Sequence, residues 1–519
     1  MAGKPRSVII DPSKAPPTQQ VTAAGCPALP HGPMAAPTTS APARDCDFGI
    51  TGATGFTGAR VVLALARLIA ERHPALPRSR AAAPAPGAGA GAGAGAAPPP
   101  LRIAVIGRSR ARLEALVARV AAETPPGFDA AASIVVLEAD AGDAAALRRA
   151  AARCHVVLAC AGPFQRLGMP TLEACVAERT SYADVTGEPL FMERAELLLD
   201  AAAAEAGVAL VPCCGFDSIP ADLGTAFAVE TLRRGAGATC LQVESFLRLE
   251  SGPAGAAGHF ATLESAVGGF SSVAELGRVR KAWAAAHPAA AAAPVRYGAR
   301  LALQTGPHWS KLARAWALPF PGADASVVRR TQRALVAAGA AGPEAAVLPV
   351  SYGAYVAFRS VWYLALTSVA GSVMSLFARF ASGRALILRF PGFFTLGAFT
   401  HAGPSAAQLA GTSFSMTFHA RGRRGTAAEV AAAVAAGDNK KGGAAAEVAA
   451  TVRVSGPEPG YVATPRFLLA AGFELLEGRF AAAGVLTPAA AFRGARSTLR
   501  ARLEALGIRF EVVEPPRGV

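Results

Sequence analysis

Between Asp47 and Gly215, short apolar runs alternate with segments of 3.6-residue hydrophobic periodicity. The runs are DFGITG (47–52), LRIAVIG (101–107), SIVVLEAD (133–140), HVVLACAG (155–162), TSYADVTG (180–187) and VALVPCCG (208–215). Several are continuously apolar, which marks strands covered on both faces. The segments near 59–72, 109–123, 143–153, 169–178 and 190–206 carry the spacing of amphipathic helices. Strands and helices in this alternation predict an α/β fold with an N-terminal Rossmann-type doubly wound parallel sheet.

One such sheet does not absorb 519 residues, given about 150 residues per domain as a prior. The organisation expected is a disordered Pro- and Ala-rich extension at 1–44 and a dinucleotide domain at 45–225. A second α/β (α+β) domain follows at 226–483, where VESFLRLES (243–251) reads as a strand. Residues 484–519 should form a helix and strand returning toward the first domain. The tract PALPRSRAAAPAPGAGAGAGAGAAPPP (74–100) cannot pack a core and reads as a flexible surface insertion. Residues 424–450 suggest another, partly helical.

At the end of the first strand stands Gly52-Ala53-Thr54-Gly55-Phe56-Thr57-Gly58, a G-x-x-G-x-x-G turn that opens a helix. The first glycine permits the tight turn, the second lets a pyrophosphate approach, and the third lets helix and strand pack closely. The phosphates then meet free N–H groups at the helix N-terminus. The second strand ends Gly107-Arg108-Ser109, where an NAD site usually carries an acid for the ribose 2′-hydroxyl. Arg108 can pair with a 2′-phosphate and Ser109 can donate to it, so the cofactor expected is NADP(H). Asp140 closes the third strand beside the adenine. Ala161-Gly162-Pro163-Phe164 closes the fourth, where small residues let the nicotinamide ribose approach.

Hydride transfer to C=C, C=N or C=O needs a positioned nicotinamide and a proton donor. Ligands of open α/β sheets bind at the carboxyl ends of strands. The exits of the fifth and sixth strands therefore supply the catalytic candidates Tyr182, Asp184 and Asp217. Each has a structural alternative. Tyr182 can be a core ring, Asp184 and Glu188 can fix loop amides, and Asp217 or Ser218 can cap the next helix.

Lys+Arg 51 against Asp+Glu 36 gives a net charge of +15. Nucleic acid is excluded as a partner, since no basic stripe interleaved with aromatics is present. The eight cysteines show no C-x-x-C pair and no histidines at zinc-finger spacing, so no metal is expected. From Ala345 to Ala428 there is no acid, and SVWYLALTSVAGSVMSLFA separates Arg359 from Arg379. At 1.5 Å per residue this run spans roughly 28 Å, close to the bilayer core of about 30 Å. Four serines, Thr367 and Gly371 dilute it. A spanning helix, a buried helix and an interfacial segment stay open, with the interfacial one favoured because a soluble helix mixes charges of both signs.

The motifs TGATGFTG (51–58), GRSRARL (107–113), AGPFQRLGMP (161–170), DVTGEP (184–189), GFDSIPADLG (215–224) and GPEPGYVATP (456–465) occur together in this order. With ADASVVRRTQR (323–333), FPGFFTLGAFTHAGPSAAQ (390–408) and GVLTPAAAF (484–492), the chain resembles the saccharopine dehydrogenase-like oxidoreductases of eukaryotes. More distantly it is similar to bacterial trans-acting enoyl reductases. The resemblance runs from about residue 47 to 513 and implies a saccharopine-reductase-like architecture. It also singles out His259, Thr262 and Ser265, which match a family segment H-x-G-T-x-x-S except that Ala261 stands for its glycine. Saccharopine chemistry is not implied, since no charged substrate clamp is visible. The family association is with lipid droplets, membranes, mitochondria and glycolipid synthesis. The expectation is an intracellular NADP(H)-dependent oxidoreductase of a lipid-like substrate at a membrane or lipid-droplet surface, with mitochondrion, plastid and a homodimer as further expectations. The alternative is a non-catalytic nucleotide-binding protein on the same surface.

Overall fold

The computed structural model describes residues 44–73, 76, 101–292, 301–338, 349–436 and 447–518. All but Arg44 of the expected extension at 1–44 and nearly all of the insertion at 74–100 lie outside these residues. The first sheet holds β1 (Cys46–Thr51), β2 (Ile103–Gly107), β3 (Ile134–Glu138), β4 (Cys154–Ala159), β5 (Ser181–Asp184) and β6 (Ala209–Val211). A seventh strand, Gly484–Val485, pairs with β6. The spatial order is Gly484–Val485, β6, β5, β4, β1, β2, β3, and every pairing is parallel. The order reverses at β1, which pairs with β2 on one side and β4 on the other. Ligands of such folds bind at that switch point.

Helices cover both faces of this sheet, so all six residues of β1 are buried. Phe48 and Ile50 face one side with α1 (Phe56–Ala70) and helix Thr464–Leu476. Cys46 faces the other with Leu172, Tyr182 and Phe191. Helix Thr464–Leu476 sits so close that a Cβ on Gly472 would lie 2.9 Å from a Leu158 methyl. The sequence reading placed this helix in the second domain; the structure lays it on the first sheet.

The second sheet is mixed. Its order is Arg509–Gly518, Glu447–Pro457, Ser413–Arg424, β7 (Ala238–Glu250), Ser351–Phe358, Ala315–Pro319, His308–Ser310. Strand Ser413–Arg424 alternates buried Phe414, Met416 and Phe418 with half-buried Ser415, Thr417 and His419. This is the period of a sheet with one covered face. Helix Ile219–Ala236 covers that face, and a Cβ on Gly224 would meet the Phe418 ring at 2.2 Å. Phe48 of the first sheet and Phe418 of the second belong to one continuous core. The C-terminal segment divides: Gly484–Val485 returns to the first sheet, whereas Arg509–Gly518 edges the second. Of the expected insertion at 424–450, the described part includes helix Ala427–Ala435, started by a Thr426/Glu429 capping box.

A third region projects differently. Helix Val361–Ala378 is followed by Ala381–Arg389 and the short turn Pro391–Phe394. Of its eighteen residues only Leu364 and Ala378 are buried. Ala378 and Ile387 pack on Leu263 and Val267 of helix Phe260–Ser271. Trp362 is 81% exposed and Phe393 79%. Tyr363, Val369, Leu376, Phe380 and Leu396 are exposed as well.

Candidate functional site

The turn after β1 is built from three glycines with separate reasons. Gly52 has φ +65°, and a Cβ there would lie 2.8 Å from the Ala161 backbone. It therefore brings the ends of β1 and β4 together. A Cβ on Gly58 would sit 2.2 Å from the Gly52 carbonyl oxygen, so α1 can start where it does only with glycine at 58. Gly55 is the N-cap, and no side chain caps the helix. First-turn amides are left for an anion. Thr54 and Thr57 are half-buried in the same turn.

The other cofactor candidates lie on the loops that follow β2, β3 and β4. Arg108 is exposed at the end of β2. Ser109 caps the next helix, its oxygen accepting from the Arg112 N–H at 3.5 Å. That bond uses a lone pair, so the hydroxyl proton stays available to a phosphate oxygen. Asp140 accepts from the Gly142 N–H at 2.8 Å and shapes the loop after β3. Gly162 and Pro163 follow Ala161, and the Phe164 ring is buried against Phe191. Phe164 thus faces the core and not a ligand.

The three catalytic candidates separate. Tyr182 and Asp184 are fully buried, and the Tyr182 hydroxyl donates to Asp184 Oδ2 at 2.8 Å. Asp184 Oδ1 accepts from the N–H groups of Thr186 and Cys213, both at 2.9 Å. Burial pushes this carboxyl up to about 7. The pair staples the exits of β5 and β6 from within the core, so Tyr182 reaches no cleft. Asp217 differs. It is half-buried, and its carboxylate crowds Gly187 and accepts no hydrogen bond among the described residues. Burial lifts it to about 6. Ser218 holds the N-cap position of the following helix, but its hydroxyl donates to the Asp217 carbonyl at 2.7 Å and does not cap. Glu188 accepts from the Phe164 and Gln165 N–H groups at 3.0 and 2.8 Å, fixing the loop after β4.

His259 and Tyr461, from segments far along the chain, close over Phe56 of the glycine turn. The Phe56 ring stacks on His259 with centroids 4.4 Å apart and meets the Tyr461 ring edge-on at 4.8 Å. The Arg60 guanidinium lies 3.6 Å from the Phe56 centroid. The Tyr461 hydroxyl accepts from the His259 N–H at 2.6 Å and lies 2.9 Å from Thr262 Oγ1. His259 Nδ1 accepts from the Ala261 N–H and caps its helix, and burial lowers its basicity. Ser265 lies beside Glu188 and favours its carboxylate form. Thus His259, Thr262 and Ser265 meet the dinucleotide loops without an added glycine at 261. The sequence reading gave Tyr461 and Arg60 no role. A signal was present in Glu458-Pro459, since Glu458 accepts from the Gly460, Tyr461 and Val462 amides and so sets the Tyr461 turn.

Comparison with known proteins settles the lineage. The family described as saccharopine dehydrogenase NADP binding domain matches residues 95–211. The human saccharopine dehydrogenase-like oxidoreductase is 33% identical over 416 residues, covering 79% of this chain and 89% of the human one. The chain belongs to the saccharopine dehydrogenase-like oxidoreductases. A relative from Caenorhabditis elegans named lipid droplet localized protein is 29% identical, covering 79% of this chain and 91% of that one. A solved yeast saccharopine dehydrogenase (L-Glu forming) aligns with a TM-score of 0.46 at 12% identity, over 90% of this chain and all of that one. NADP(H) is the cofactor of this family's nucleotide domain, and the glycine cradle and uncapped α1 fit it.

Proposed function

We propose that this oxidoreductase uses NADP(H) to reduce a C=C or C=O bond of a lipid-like substrate drawn from a membrane or lipid-droplet surface. The observation that carries the reading is the apolar platform of residues 361–396. Most of its large apolar side chains face outward, and it rests on helix Phe260–Ser271, whose N-cap His259 stacks on Phe56 of the glycine turn. Arg379, Arg384 and Arg389 are the platform's only charges, suited to anionic headgroups, while Trp362 and Tyr363 suit the interface. The helix is long and apolar enough to cross a bilayer. Both flanks favour lying in the surface instead: Ser351–Phe358 enters from the second sheet, and Phe399–Thr400 returns to pair with Gly258–His259. The name of the Caenorhabditis elegans relative supports a droplet surface for this chain.

In this reading Gly52, Gly55 and Gly58 hold the pyrophosphate, and Arg108 with Ser109 the 2′-phosphate. Bound NADPH supplies the hydride. Asp217 supplies the proton, being the one candidate of the three not committed to a core hydrogen bond. A donor titrating near 6 loses its proton as pH rises, so the reduction rate should fall above about pH 6. The test is NADPH oxidation with a lipid extract, followed by mass spectrometry for a product heavier by two hydrogens. Nucleotide binding with no such product would favour a non-catalytic surface protein.

A further inference from the structure

The open face of the second sheet carries a cavity of about 920 Å³ that shares no residue with the glycine turn. Its floor follows from strand register. Arg248 lies opposite Ser415, Ser415 opposite Ser455, and Ser455 opposite Arg509. One cross-strand row therefore reads Arg–Ser–Ser–Arg over four adjacent strands, about 14 Å from end to end at the usual strand spacing. Arginine side chains are long enough to converge over the two hydroxyls between them. Arg466, from the first turn of helix Thr464–Leu476, lines the same cavity.

Charge pairing leaves this row cationic. Of the other arginines in the cavity, Arg453 pairs with Glu511 at 2.7 Å and Arg359 with Glu250 at 3.1 Å. Glu514 is taken by Arg517 and by the Thr451 hydroxyl, each at 3.1 Å. Among the described residues, Arg248, Arg466 and Arg509 have no carboxylate partner. Arg248 donates to the Ala313 carbonyl at 2.8 Å and Arg466 to the Leu506 carbonyl at 2.6 Å. Each guanidinium has five N–H donors, so most remain open. We propose that this row is a second anion site, which takes a phosphate group carried on a larger molecule. Three guanidinium groups and two hydroxyls offer more donors than one carboxylate accepts, whereas a phosphomonoester accepts on three oxygens. The cavity is far larger than phosphate alone and lies in the range of drug-sized ligand sites. Arg359 lines the cavity and precedes helix Val361–Ala378 by two residues. A phospholipid headgroup and a soluble phosphomonoester are both within its reach; only the lipid source rests on the surface-docking reading.

The experiment uses the full chain saturated with NADP⁺, so that the dinucleotide site is filled. Inorganic phosphate is titrated by ³¹P line broadening against the unmodified protein and Arg248→Gln/Arg509→Gln. Both residues are partly or fully exposed, and matching melting curves verify the fold. The expected result is saturable binding weakened at least tenfold by the double substitution and unchanged by Arg108→Ala. A second arm compares vesicles containing phosphatidic acid with vesicles of equal charge made with phosphatidylserine. Preference for phosphatidic acid that the double variant loses assigns a lipid source. Saturable phosphate binding with no vesicle preference assigns a soluble one and leaves the site standing if docking fails. Phosphate binding that is absent, or equal in the double variant, overturns the proposal.

Discussion

The glycine turn and helix Val361–Ala378 are both rich in small and apolar residues, yet an added methyl group meets opposite surroundings in them. At Gly58 it would stand 2.2 Å from a backbone oxygen; at Gly371 nothing lies within 4 Å. The first region is packed by the chain itself, whereas the platform turns its apolar groups outward. Identical residue types therefore do different work. In the turn their smallness lets backbones approach, and on the platform most of the large apolar side chains stay exposed.

The sharpest break of this comparison is Gly58→Val. It should lower NADPH affinity more than a hundredfold by fluorescence titration, because the clash is with backbone and cannot relax through a side chain. Ordinary affinity would mean that the turn is not the cradle. Next comes Asp184→Ala, which strands two buried amides and a tyrosine hydroxyl. Denaturant unfolding should show a loss of about 2–4 kcal/mol. The same carboxyl gives a pH signature. Its folded value of about 7 exceeds the unfolded value of about 3.9, so between these limits the native state holds a proton that the unfolded chain has lost. This group's contribution makes stability fall as pH rises from about 4 to 7 and level off above. Asp184→Asn should flatten that slope.

Arg108→Ala should cost about 1–3 kcal/mol of NADPH affinity and leave NADH unchanged. Equal preference in the unmodified protein would remove the 2′-phosphate role. On the platform, Trp362→Ser with Phe393→Ser should shift stability by about 0.5 kcal/mol or less, as at exposed sites, while abolishing co-sedimentation with liposomes. A large drop in melting temperature would show that these rings are core. Gly371→Ala should act on stability alone. It should stabilise the platform helix by up to about 1 kcal/mol, since Gly is that much poorer than Ala in a helix interior.

The parallel sheet was legible because its central strands are buried on both faces and print as continuous apolar runs. The glycine turn was legible because three backbone approaches demand glycine at fixed offsets. Tyr182 was harder to place. Its strand position suggested a reactive end, but strand ends alternate between cleft and core, and its hydroxyl points inward to Asp184. The second sheet hid its extent because its partners lie far apart in sequence: β7 pairs with strands that begin at 351 and 413.

By itself the amino-acid sequence determined the Rossmann half, the cofactor class and the presence of an acid-free apolar tract. Each is written in local periodicity or in a few residues at close spacing. Only the tertiary structure decided that residues 361–396 of the tract are largely uncovered, that helix Thr464–Leu476 packs on the first sheet, and that Tyr461 and His259 close over Phe56. It alone assembled the Arg248–Ser415–Ser455–Arg509 row. These are contacts between segments as much as 200 or more residues apart, such as His259 with Tyr461. Their partners are chosen by how whole sheets stack, and no local pattern in either segment encodes that choice.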